Sequence, residues 1–406
     1  MKLLRFLFRV LFCLALPCCM NGRTIPFVKQ VSIQPKMVSV DKSKVLIDYG
    51  KVWFANIEIT PNSANRGTNL VVRLRESKNP KQLPSSGSEP IGVRFYETKV
   101  SLGERTYFLN LREADSRMMP KKIGGVMPFR YLELIGWKGE FKNDAIKTKV
   151  AIANAYSKNG YVHFSGDFRA KALNDIWELS AHTIAATSFA GVFVDGDRER
   201  LPYEADAYIN QLGWFATVGE ATVPYRTFEY LIAHPTWPTE WQSHMILMAW
   251  SYYMHTGDKI FLRKHYQRLK FLTLHDLISI NGLVTTQNIT EKFKKESKLT
   301  YPMADIVDWP KNQRDGHEMV AENTVTNAFV YIALMHMAEI AGILNKDSDK
   351  KYFEGLANKI RQAIYSLILQ PNGLFSDGVG SHHTSAHSLF IPLAFGLVEG
   401  NQKKTF

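Results

Sequence analysis

Between positions 195 and 206 the chain reads Asp195-Gly196-Asp197-Arg198-Glu199-Arg200-Leu201-Pro202-Tyr203-Glu204-Ala205-Asp206, five carboxylates and two arginines within twelve residues. Acids at this density can move protons. A carboxylic acid that hands a proton to a leaving oxygen needs a raised pKa, which neighbouring carboxylates and partial burial supply. Interleaved arginines hold the remaining acids ionised, as acceptors for ligand hydroxyls. The same composition also describes a solvated loop. Gly196 and Pro202, both residues that particular turns require, favour one set geometry.

A second cluster is Ser381-His382-His383-Thr384-Ser385-Ala386-His387. On a helix, His383 and His387 would share one face. No acid stands at the position a zinc motif needs and no third ligand can be named, so neither metal nor cofactor is expected. All three cysteines (Cys13, Cys18, Cys19) lie near the start. Beyond them the chemistry must come from carboxylates, histidines or hydroxyls.

The elements that position these groups follow from length and pattern. A chain of 406 residues is long for one core, and 45% hydrophobic with 22% charged residues describes a folded protein of two domains. Residues 1–22 stand apart. Lys2, Arg5 and Arg9 precede a short apolar run at 10–17 and then small or polar residues, the layout of a secretory signal peptide. The run is shorter than the about 20 residues that span a bilayer, and no later stretch reads as a transmembrane segment. Export to the periplasm or cell surface is expected. A lipoprotein-type cut before Cys18 or Cys19 is the alternative, although Pro17 fits that position poorly. The net charge of +12 is spread over scattered lysines, so a solvated surface is favoured over a nucleic-acid partner.

Residues 23–165 carry short alternating runs at 45–49, 52–59, 70–75, 93–102, 107–111 and 131–137, separated by Gly, Pro, Asn and Ser clusters, including the loop 79–92. This spacing predicts a β-sandwich. From 166 to 406 the apolar period becomes helical. Helices are predicted from 171 and near 204–217, 219–233, 239–256, 259–280, 318–343, 348–369 and 386–397, with a polar loop at 282–310. A sandwich followed by serial helical hairpins suits a partial (α/α)6 toroid of the kind found among sugar hydrolases.

The acid-rich segment resembles the signature of glycoside hydrolase family 78, the bacterial α-L-rhamnosidases with a six-hairpin catalytic domain. The similarity runs on through Trp177-Glu178-Leu179-Ser180, His234-Pro235-Thr236-Trp237-Pro238-Thr239-Glu240-Trp241, Asp305-Ile306-Val307-Asp308-Trp309-Pro310, Arg314-Asp315-Gly316, Asn323-Thr324-Val325 and Asp377-Gly378 to Val398. By that resemblance Glu199 is the general acid. Asp195, Arg198 and Asp206 grip the hydroxyls of a rhamnose-containing glycan or glycoside. Trp241 and Trp309 wall the sugar, Trp309 facing its methyl group, and His387 faces the pocket. Plainer roles stand beside these: Trp241 as core, Asp308 as a turn cap, His387 as packing, and Glu204 as helix-start electrostatics.

Inverting hydrolysis also needs a second carboxylate, which the resemblance sets on a later hairpin, and the tail 399–406 carries no such motif. The resemblance thus implies a toroid cut short, with little activity of its own and with apolar faces exposed on its first and last helical pairs. A non-catalytic sugar-binding protein, or a decayed fragment, is the competing reading.

Overall fold

The computed structural model describes residues 26–78, 95–111, 119–197, 199–299 and 301–398. The leader with its three cysteines, the loop at 79–92, Arg198 and the tail 399–406 lie outside the described residues.

Eight strands come first: β1 (Val28–Ile33), β2 (Met37–Asp41), β3 (Lys44–Ile59), β4 (Asn69–Arg75), β5 (Phe95–Ser101), β6 (Tyr107–Phe108), β7 (Met127–Ile135) and β8 (Ile146–Ala153). All pairings are antiparallel, in the order β1-β8-β3-β7-β4-β5, with β2 and β6 also on β3. The two runs expected at 45–49 and 52–59 are one long strand. Its pairing with β7 slips between Asp48 and Trp53, at a bulge where Gly50 has φ 80°. Before the bulge β3 lies between β2 and β7; after it, β3 pairs with β8. A bulge bends and twists a strand. One hydrogen-bonded sheet therefore folds over itself into a sandwich, with Val45, Ile57, Val72, Leu132 and Val150 in a common core.

Nine α-helices follow among the described residues: α1 (Phe168–Thr187), α2 (Glu204–Thr217), α3 (Thr222–Ala233), α4 (Thr239–Thr256), α5 (Lys259–Leu272), α6 (Glu291–Ser297), α7 (Thr324–Ile343), α8 (Asp347–Leu367) and α9 (Ala386–Ala394). Caps set several of the ends. Asp258, Asn323 and Ser385 accept backbone N–H groups at the starts of α5, α7 and α9, and Gly257 in the left-handed region closes α4. α4 and α7 are buried on nearly every side. α8 buries Phe353, Ala357, Ile360 and Ile364 along one stripe. Helices buried all round belong inside and striped ones outside. α2 packs on α4, α4 on α7 and α7 on α9, making an inner row, while α3, α5 and α8 back it. α7 alone among the described helices is long and apolar enough to cross a membrane, contrary to the sequence expectation, but it serves here as a core helix.

Because each inner helix is reached through an outer one, the inner helices run the same way. Their N-terminal loops gather at one end. At the edges of the row apolar side chains are exposed: Leu173, Ile176 and Leu179 on α1, Ile209 and Leu212 on α2, Phe390 and Leu393 on α9.

Candidate active site

The loop entering α2 carries the acid-rich segment. It is closed on itself: Asp195 N–H donates to Leu201 O at 3.0 Å, and Leu201 N–H donates to the Asp195 carboxylate at 3.1 Å. Gly196 takes φ 122°, a backbone that side chains seldom adopt, so the expected role for this glycine holds. Burial, followed by a hydrogen bond to the Glu199 carboxyl, pushes Asp195 up to about 6. A second carboxyl in contact disfavours the ionised form of Asp195, in the same direction as its burial.

Glu204, the first residue of α2, is fully buried. Its carboxyl accepts the Thr236 N–H at 2.9 Å and the Thr236 hydroxyl. It thereby binds the loop that enters α4. Glu240, the second residue of α4, repeats the device. Its carboxyl accepts the N–H groups of Ile306, at 3.0 Å, and Val307, and so binds the loop that enters α7. Burial pushes both glutamates up to about 7, and Asp305 adds to the effect on Glu240. Asn323, capping α7, donates to Asp305 at 2.5 Å and so ties the same loop to its own helix. The mouth is a chain of clasps running from helix to helix.

At the last described loop Asp377 is the hub. It accepts from Glu318 N–H at 2.9 Å, Ser385 N–H at 2.8 Å, the Ser388 hydroxyl at 2.8 Å and His383 Nδ1 at 2.7 Å. These donors outweigh its burial and hold the carboxyl well below the usual range, while Asp377 raises His383 in turn. α9 begins at Ala386, so His383 precedes the helix and does not share a face with His387. His387 is buried, and its Nε2 meets the Asp308 carboxylate at 2.8 Å. The other Asp308 oxygen accepts Trp309 N–H at 2.7 Å. Asp308 both caps its turn and holds a histidine.

Trp309 is 58% exposed beside that pair. Trp241 is half-buried in the first turn of α4, its ring edge-on to Tyr203 at 5.8 Å between centroids. Among the described residues no group of three or more His, Cys, Asp or Glu is arranged to hold a metal ion.

The comparisons with known proteins bear directly on this helical mouth. The bacterial alpha-L-rhamnosidase 6 hairpin glycosidase domain matches residues 166–406. The chain belongs to that family. A GH78 rhamnosidase of Bacillus sp. GL1 superposes on 90% of this chain with a TM-score of 0.65 at 17% identity. A rhamnosidase from Klebsiella oxytoca with rhamnose bound covers 93% with a TM-score of 0.66 at 11% identity, and an alpha-L-rhamnosidase from Dictyoglumus thermophilum covers 94% with a TM-score of 0.63 at 18% identity. Identities this low speak for the fold. The chain spans 37%, 78% and 41% of those three proteins respectively. No curated protein matches its sequence.

Within the rhamnosidase-family fold, the described residues singled out from sequence fall on the loops or first turns of the inner helices, and Arg198 lies outside the described residues. The structure joins Asp195 to Glu199, Trp241 to Tyr203, and His387 to the Asp308–Trp309 turn. Asp206 stands exposed on the first turn of α2. Sequence reasoning missed Glu240 and Asp377, and it read Glu204 as helix-start electrostatics alone. Each is a buried acid with at least one partner on a different loop. The one sequence signal was the recurrence of a glutamate within two residues of a helix start, in Tyr203-Glu204 and Pro238-Thr239-Glu240.

Proposed function

We propose that this chain carries the acid half of an inverting α-L-rhamnosidase site, which cleaves terminal α-L-rhamnosyl residues from glycans or glycosides. The observation behind this is the Asp195–Glu199 pair, two carboxyls in contact, with Asp195 pushed up to about 6, on the rim of a rhamnosidase-family helical domain. Glu199 is the general acid. It passes its proton to the bridging oxygen as the bond from the anomeric carbon to that oxygen breaks. Water attacks the opposite face and gives its proton to a second carboxylate, which inverts the anomeric centre. Asp195, Arg198 and Asp206 hold the sugar hydroxyls, Trp241 and Trp309 cover its apolar faces, and His387 steadies the Asp308–Trp309 turn.

The water-activating carboxylate is expected on a later hairpin, outside the described residues. Rhamnose binding is expected of residues 23–406, with hydrolysis where that carboxylate is present. We place the protein outside the cytoplasm on the strength of its leader sequence. Calorimetry with L-rhamnose, together with an assay on 4-nitrophenyl α-L-rhamnoside, tests the proposal. Neither binding nor turnover would reject it. Binding that Trp309→Ala abolishes, with no hydrolysis, would favour the non-catalytic sugar-binding reading.

A further inference from the structure

The acid loop does not stand on helices alone. Phe189, Ala190, Val192 and Val194 of the strip leading to it are buried in one cluster with Val28 of β1, Phe54 of β3, Ile123, Val126 and Ala151 of β8. Arg200, next to Glu199, finishes that seam. Its backbone has φ 57°, in the left-handed region that L residues avoid, and its side chain is 10% exposed. Nη1 donates to the Val126 carbonyl at 2.9 Å. Nε and Nη2 donate to one Asp197 oxygen at 2.8 and 2.5 Å. The guanidinium lies 5.3 Å from the Phe54 ring centre and 5.8 Å from that of Phe189, two rings stacked on each other at 4.1 Å.

Guanidinium suits this place because it is planar, forked and always charged: it can lie against rings while serving a carbonyl and a carboxylate in its own plane. An ammonium cannot do all three. A residue held in an unfavourable backbone conformation by side-chain contacts fixes its neighbours too, and the residue before Arg200 is Glu199.

We propose that Arg200 is the positioning residue for Glu199, and that the sheet surface at Phe54 and Val126 is part of the proton-delivery apparatus. This rests on Glu199 being the acid. A proton donor works only when held to within a fraction of an ångström, and a displacement of about 1 Å can cost on the order of a hundredfold in rate. The sandwich is thereby given a task in the chemistry that nothing in its own sequence announces.

The test uses residues 23–406 carrying Arg200→Lys, with Phe54→Leu as a milder variant that keeps the arginine. An alkyl rhamnoside needs a proton on its leaving oxygen; a 2,4-dinitrophenyl rhamnoside does not. Turnover of the alkyl substrate is expected to fall at least tenfold more than that of the aryl one, with KM unchanged. General damage to the fold would lower both alike and would overturn the proposal. Amide hydrogen exchange across 195–201 is measured in parallel. It is expected to quicken at least tenfold in Arg200→Lys, and less in Phe54→Leu, while α4 and α7 keep their protection. If the unaltered chain turns over neither substrate, the activity proposal fails on its own account and the exchange result decides for Arg200: unchanged protection of 195–201 overturns it.

Discussion

Asp195 and Asp377 occupy matching places, each in a loop that leads into an inner helix, yet their carboxyls are treated in opposite ways. Asp377 collects donors from two backbone N–H groups, a serine and a histidine, and is held ionised. Asp195 accepts from Leu201 but faces another acid, and is pushed up to about 6. The lesson is about partners, not residue type. A carboxylate surrounded by donors is a fixed anchor; one that is buried against another acid is eased toward its protonated form.

Five substitutions would break or sharpen that contrast. Glu199→Gln removes the exchangeable proton while keeping shape, and turnover is expected to fall by about 10²–10⁴-fold, with L-rhamnose affinity within a few fold in calorimetry. Asp377→Asn replaces one acceptor oxygen by an amide, leaving either His383 and the Glu318 N–H or the Ser385 N–H and the Ser388 hydroxyl short of their acceptor, and urea unfolding is expected to show a loss of about 3 kcal/mol. Asp195→Asn, which relieves a carboxyl contact, should stay within about 1 kcal/mol of the parent while binding rhamnose less well. Equal losses from the two would erase the distinction.

Glu204→Gln sharpens the comparison through pH. Burial raises Glu204 and Glu240 from 4.5 to about 7. Between those values the unfolded chain has released protons that the folded chain keeps, so stability falls as pH rises from about 4.5 to about 7. Each glutamate contributes on the order of 2–3 kcal/mol to that slope, and Glu204→Gln is expected to remove one share of it in melts at pH 5 and pH 7. An unchanged slope would assign the pH dependence to other groups. Trp309→Ala has the smallest expected effect. Stability should stay within about 0.5 kcal/mol because the ring is 58% exposed, while rhamnose binding weakens by about 1 kcal/mol, the scale of one aromatic contact.

Local features were legible in the sequence and distant ones were not. The spans read for α2 and α4 coincide with Glu204–Thr217 and Thr239–Thr256, because Pro202 and Pro238 precede their starts and Gly219 and Gly257 follow their ends. α6 was lost in the loop read at 282–310, since Glu291–Ser297 makes only two turns and shows no period. The single strand through 44–59 read as two because Gly50 looks like a break and proves to be a bulge. His383 and His387 read as a helical pair because spacing alone does not reveal that Ser385 caps a helix between them. In the candidate site, the acid-rich segment declared itself by composition. The clasps of Glu204 and Glu240 did not, because a buried acid and a helix-start acid look alike until the partner loop is in place.

The shared direction of the inner helices separates two kinds of variation. Substitutions at the loops entering α2, α4, α7 and α9 alter what the mouth touches, whereas Phe353, Ile360 and their neighbours on the backing helices answer only to the shared core. Descendants of one ancestor can thus drift in appetite, loop by loop, while the barrel wall stays put. Divergence to 11–18% identity from proteins of similar shape is what such a partition permits.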